Sequence, residues 1–272
     1  MVLVGLLLAL SPPPNSVIFD RIVADAKAGK WYQKPIGDRT ILVAKEFLGT
    51  PYVGHTLDID PHSEKCIIRL DGLDCVTFYE TSFAFARILG SPKSPSFNDL
   101  IKSVTNLRYR GGKITDYTSR LHYTTDWMLE NIKRGNVEVL SIENEVFETS
   151  TRPINFMTTH SSLYPALVAN PRFVPILAKM EADLGSQKRM FIPKAKVRSF
   201  QRQLKSGDIV GICTDVPGLD CSHTGLIVVE NGTPRFFHAS SDGKKVLIGP
   251  VISEYLDKHA KASGLMVVRP EN

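Results

Sequence analysis

The sequence predicts an α+β fold built on an antiparallel sheet, and three observations carry that expectation. Helical periodicity dominates the first two thirds of the chain, whereas short β-branched and aromatic runs fill the last third. Asn231-Gly232, set between Leu226-Ile227-Val228-Val229 and Arg235-Phe236-Phe237, has the sequence of a two-residue type I′ hairpin turn. The segment that opens at Asp74-Cys75 carries two apolar stripes, one through Val76, Tyr79, Phe83 and Ala86, the other through Phe78, Phe85 and Leu89. A helix apolar on two faces is buried, which places this one at the centre of the fold.

Taken in chain order, Ser16–Ala28 and Arg39–Phe47 read as short amphipathic helices, the second stopped by Gly49-Thr50-Pro51. Residues 65–71 read as a short strand. The central helix runs from Cys75 to Leu89, with Asp74 as its N-cap and Gly90-Ser91-Pro92 as its end. Helices follow over Phe97–Val104, Thr118–Ile132 and Pro171–Leu184, then a polar connector reaches Lys205. Strands are expected over Asp208–Cys213, His223–Glu230, Arg235–Ala239, Lys245–Ile248 and Leu265–Arg269.

At 272 residues, 43% hydrophobic and 22% charged, the chain suits one large globular domain over 16–272, with a long helical insertion at about 91–205. The net charge of +5 comes from scattered Lys and Arg, so no nucleic-acid footprint is expected. Weak attraction to anionic polymers such as cell-wall material fits that balance. Met1–Leu10 is too short to span a bilayer but matches the core of an export signal over 1–15, although no Lys or Arg precedes it. Stable membrane insertion is not expected. Cys66, Cys75, Cys213 and Cys221 include no C-x-x-C pair, so neither a structural zinc site nor any other metal or cofactor is expected. One disulfide between two of Cys66, Cys213 and Cys221 is compatible with an oxidising compartment.

The chemistry concentrates in three short motifs. Cys75 opens a helix, where the dipole and free backbone N–H groups favour a thiolate. Those N–H groups also suit a developing oxyanion. A type I′ turn at Asn231-Gly232 makes Glu230 face Thr233, His223 face Ser240 and Gly225 face His238. His223 and His238 then share one face as diagonal neighbours, within side-chain reach. A one-residue slip would separate them. A nucleophile, a base and a group that orients the base are the parts of a cysteine hydrolase. Taken singly, a helix-start cysteine or a strand histidine is more often structural; the residues alone leave both readings open.

Together these motifs resemble the NlpC-type cell-wall hydrolases, which are papain-like cysteine peptidases, and within them the N-acetylmuramoyl-L-alanine amidase-like family. The resemblance rests on Leu48-Gly49-Thr50-Pro51-Tyr52, Leu73-Asp74-Cys75-Val76-Thr77-Phe78, His122-Tyr123-Thr124-Thr125-Asp126-Trp127, Ile154-Asn155-Phe156-Met157, Asp220-Cys221-Ser222-His223-Thr224-Gly225 and Phe237-His238-Ala239-Ser240. It runs from about residue 40 to the C-terminus. It implies a papain-like fold with Cys75 as nucleophile, His223 as base and then acid, His238 as the orienting residue and Tyr52 beside the nucleophile. A packing role for Tyr52 stays open. In the family, insertions wall the substrate groove, which makes His122, Tyr123, Asp126, Trp127, Asn155 and His160 candidates for substrate contact, with Trp127 also suited to a core position. The implied activity is hydrolysis of the N-acetylmuramoyl-L-alanine amide in peptidoglycan or muropeptides, in the bacterial periplasm or outside the cell. Cleavage between D-glutamate and the diamino acid, a non-catalytic wall-binding module and a metal amidase using His223, His238 and Cys221 are the alternatives.

Overall fold

The computed structural model describes residues 14–140 and 147–272. The apolar run Met1–Leu10 lies outside the described residues. Helices α1 (Asn15–Ala28), α2 (Ile36–Glu46), α3 (Cys75–Ile88), α4 (Phe97–Arg108) and α5 (Thr124–Lys133) precede strands β1 (Val137–Val139) and β2 (Glu148–Ser150). Next come α6 (Phe156–Thr159), α7 (Pro165–Ala169), α8 (Phe173–Ser186), β3 (Arg189–Pro193) and α9 (Lys194–Phe200). The chain ends with β4 (Ile209–Thr214), β5 (Cys221–Glu230), β6 (Thr233–Ser240), β7 (Lys245–Val251), α10 (Ile252–Lys258) and β8 (Ala262–Pro270). The strands form one antiparallel sheet in the order β2-β3-β8-β4-β5-β6-β7, with β1 also on β8. The α+β class expected from the sequence is the class observed.

Alternation along the strands sends side chains to two cores. Ile209, Leu226, Val228, Phe237 and Ala239 face α1–α4, whereas Val210, Ile212, Ile227 and Phe236 face Val197 and Phe200 of α9 and Ile252 and Leu256 of α10. A third cluster, through Tyr123, Met157, Phe173 and Leu177, joins α5 to α6–α8.

Helix α3 forms as its sequence requires. The Asp74 carboxylate accepts from Thr77 N at 2.7 Å, and the Asp74 amide donates back to Thr77 Oγ1 at 2.9 Å, a reciprocal cap. Phe78, Tyr79, Phe83 and Phe85 are all buried, and Phe78 meets Phe237 of β6 with ring centroids 5.1 Å apart. Glu80 is held by Arg108 of α4 at 2.7 Å in full burial, so α3 is pinned between sheet and helix.

The hairpin is the one expected. Asn231 and Gly232 both have positive φ (50° and 75°), and the pairs run from Glu230↔Thr233 to Leu226↔Phe237. Other expectations require correction. Residues 65–71 form no strand, because side chains take their backbone groups: Asn15 Nδ2 donates to Ile68 O, Leu70 N donates to Asn15 Oδ1, and Arg108 Nη1 donates to Ile67 O. Thr118–Ile132 is broken into a 3₁₀ turn at Tyr117–Ser119 and α5, since Arg120 is drawn out to Glu64 and Asp58. The region 91–205 is mainly helical but also supplies β1, β2 and β3 to the sheet, and the connector before Lys205 contains β3 and α9.

Candidate active site

The β5–β6 hairpin brings its two histidines into contact. His223 Nε2 lies 2.7 Å from His238 Nδ1, with the rings nearly perpendicular. His238 stacks on Phe236 at 4.3 Å, and Tyr255 of α10 closes over His223 and His238. His259 stacks on Tyr255 in turn at 4.1 Å. With Nε2 of His223 engaged by His238, Nδ1 is the nitrogen left for a reaction partner. Gly225 belongs to this arrangement sterically: a Cβ there would lie 2.7 Å from Phe236 and 3.0 Å from the His238 Cβ. Burial, reinforced by His259, lowers the His223 pKa to about 4. Burial, then His223 and His259, lower that of His238 to about 3. Both imidazoles are therefore neutral at pH 7.

Cys75 approaches from the other side of the sheet. Helix α3 covers the face of Leu226 and Phe237, while the histidines occupy the opposite face with Phe236. Pairing of β5 with β6 stops at Leu226↔Phe237, leaving the strand ends open. Ile227 directs both its N–H and its carbonyl to the β4 side, donating to Asp208 O and accepting from Gly207 N. By alternation the Thr224 N–H points towards β6, beyond the last pair. The Cys75 thiol lies near that opening, beside Thr224, whose buried hydroxyl has no hydrogen-bond partner among the described residues. The sulfur thus sits against the residue next to His223.

The helix start does not lower the Cys75 pKa as expected from sequence; burial, and then the Asp74 carboxylate, raise it to about 11, with neighbouring Thr224 opposing the shift. The cap explains the difference. Asp74 places a carboxylate beside the thiol and consumes the Thr77 N–H that would otherwise favour a thiolate. The resting thiol is protonated.

Tyr52 is brought to the same place by backbone pairing. Leu73 N donates to Pro51 O, Val53 N to Leu73 O and Tyr52 N to Lys244 O, so the segment runs between β7 and the residue before Asp74. Burial raises the phenol's pKa, and the proximity of Cys75 and Asp74 raises it further.

The remaining candidates are dispersed. Trp127 is fully buried, edge-on to Tyr79 at 5.0 Å, and Tyr123 donates to Glu181 at 2.6 Å inside the third core. Asp126 pairs with Arg110 at 2.6 Å on a groove of about 900 Å³. His122 is held at 2.9 Å from Tyr117 O, and its pKa is lowered to about 3 by burial and then by Arg120. Asn155 is exposed beside Gly218, and exposed His160 stacks on Phe156. Neither that groove nor a 370 Å³ cleft around Arg189, Cys213 and Asp220 is lined by Cys75. No cluster of three or more His, Cys, Asp or Glu among the described residues is arranged to hold a metal ion, and none of their helices is long and apolar enough to cross a membrane.

Sequence reasoning missed Thr224, Tyr255 and His259. The i, i+4 spacing of Tyr255 and His259 on a short helix was a usable signal; the role of Thr224 depends on where the strands part.

A family model for N-acetylmuramoyl-L-alanine amidase-like (AmiA-like) proteins matches residues 42–264. A crystal structure of an N-acetylmuramoyl-L-alanine amidase from Bacteroides uniformis is 32% identical with a TM-score of 0.80, covering 87% of this chain and 99% of its own. A Bacteroides fragilis protein provisionally named a xylanase is 33% identical, with a TM-score of 0.77 over 84% of this chain and 99% of its own. A Legionella pneumophila protein of the DUF1460 family model, 22% identical with a TM-score of 0.67 over 95% and 97%, shares the fold alone. No curated protein matches.

Proposed function

Because this chain belongs to the N-acetylmuramoyl-L-alanine amidase-like family, we propose that it is a cysteine amidase on a papain-like, NlpC-type scaffold. Its substrate is bacterial peptidoglycan or its muropeptides, and the bond broken joins the lactyl group of N-acetylmuramic acid to L-alanine. The work is done in the bacterial envelope, in the periplasm or outside the cell.

The observation that supports the mechanism is the 2.7 Å His223–His238 contact, with Thr224, the neighbour of His223, lying beside Cys75. With a protonated thiol and a neutral imidazole at rest, the proton moves as the nucleophile attacks. Nδ1 of His223 takes the Cys75 proton while Sγ adds to the amide carbonyl carbon. His238, neutral and bound to Nε2, orients the ring and stabilises the imidazolium that forms. The Tyr52 hydroxyl and the start of α3 stabilise the oxyanion. The imidazolium then protonates the departing amine of L-alanine, leaving a lactyl thioester. Water, deprotonated by His223, hydrolyses the thioester and frees Cys75.

Mass analysis of digested muropeptides tests the reading. Peptides beginning with free L-alanine, together with intact sugar, are expected, and Cys75→Ala should abolish them. Truncated stems would instead identify a D-glutamyl–diamino acid endopeptidase. Binding to cell wall without turnover, unchanged in Cys75→Ala, would identify a non-catalytic module.

A further inference from the structure

Two cysteines outside the proposed nucleophile face each other across the sheet. Cys213 of β4 is the direct register partner of Cys221 of β5. The neighbouring pair is Ile212↔His223, so Ser222 is an extra residue that bulges β5 and turns Cys221 onto Cys213. Directly opposed residues of antiparallel strands lie about 4.5–5.5 Å apart at Cα, inside the span of about 4.4–6.8 Å that a disulfide bridges. Both thiols are free and buried. Gly211 leaves them room: a Cβ there would lie 2.8 Å from Cys221 Sγ. The other face of Cys221 meets Met266 Sδ at 4.0 Å. Cys66 is remote from the pair, with its thiol at Ile101 O.

We propose that Cys213 and Cys221 are a redox modification site that closes to a cross-strand disulfide. The bridge staples the connection 214–220 at the base of β5, two residues before His223. A route to the pair exists, because Cys213 lines the 370 Å³ cleft bounded by Arg189, Phe191, Asp220 and Met266. The oxidant is a small-molecule disulfide entering that cleft. Cys213 thiolate attacks one of its sulfurs and expels a thiolate, which takes up the proton lost by Cys213. Cys221 thiolate then attacks the mixed disulfide at Cys213 sulfur and expels the second thiol. Two protein thiols are oxidised and one disulfide is reduced to two thiols.

The test incubates the full chain overnight with excess oxidised glutathione or with dithiothreitol. Remaining thiols are alkylated after unfolding, and the chain is digested on both sides of Asp215 and Asp220. The expected result is loss of two alkylation sites on oxidation, a Cys213–Cys221 cross-linked peptide, and a melting temperature higher by roughly 5 °C than the reduced form. Cys213→Ser should show neither the cross-link nor the rise. Stable glutathione adducts without a cross-link, a bridge to Cys66 or Cys75, or four alkylated thiols after oxidation would each overturn the proposal. None of these readouts uses amidase activity, so failure here leaves the proposed function standing, and the reverse holds.

Discussion

Replacing His238 by alanine removes the partner of His223 Nε2 without touching the ring nitrogen that faces the reaction. The 2.7 Å contact is made by a group only 4% exposed, so little water is available to replace it. In the proposed mechanism His223 takes the thiol proton, and that contact becomes a hydrogen bond to a charged imidazolium. Such bonds contribute about 1.5–3 kcal/mol, and 1.4 kcal/mol is about tenfold in rate. His238→Ala is therefore expected to lower kcat by about 10- to 150-fold, with KM little changed, because the proposed mechanism gives His238 a partner in His223 and none in the substrate. The assay is steady-state release of L-alanine-headed peptide from a soluble muropeptide, with a thermal melt beside it to show that the variant is folded. His238→Gln, which keeps an acceptor for the His223 N–H, should recover part of the loss. A folded His238→Ala enzyme within about twofold of wild-type kcat would refute the claim that His238 orients and stabilises the base.

Other consequences follow from the same structure. Glu80→Gln leaves the Arg108 guanidinium buried without its charge partner at 2.7 Å and should cost about 3–5 kcal/mol by denaturant unfolding, whereas Glu80→Met combined with Arg108→Met should restore most of it; a loss below about 1 kcal/mol in the single variant would show that the pair is not holding α3. His122, His223 and His238 all have folded pKa values below the ordinary 6.5, at about 3, 4 and 3. Since the unfolded chain protonates them first, their contribution is complete above pH 6.5 and is lost as pH falls towards 4. A melting temperature flat across that interval would contradict their neutral burial. Trp127→Phe should leave kcat and KM near wild type, while Trp127→Ala should lose about 3–5 kcal/mol of stability; a KM rise in folded Trp127→Phe would place it at the substrate instead. Gly232→Val puts a β-branched side chain at φ +75° and should destabilise the hairpin by about 1–2 kcal/mol, read by urea unfolding, with no change if the turn relaxes freely.

The parts of this protein written in local sequence are those with local causes. Asp74 and Thr77 predict where α3 begins, because the cap is made within three residues. Asn231-Gly232 sets the register of β5 on β6, because a two-residue turn admits one pairing, and the histidine contact follows from it. The strand expected at 65–71 failed because its backbone partners, Asn15 and Arg108, are distant in sequence. A short apolar run does not announce that a remote side chain will take its hydrogen bonds.

Sequence alone thus determined that a helix opens on Cys75 and that one hairpin joins His223 to His238. Tertiary structure decided where each lies on the sheet. Helix and histidines lie on opposite faces of the sheet, and the recorded pairing of β5 with β6 ends at Leu226↔Phe237, short of Thr224, which lies beside Cys75. It also decided the ionisation of the thiol. The dipole of a helix start is a local property that favours the thiolate, but burial is a property of the assembled fold, and with Asp74 beside the sulfur it prevails.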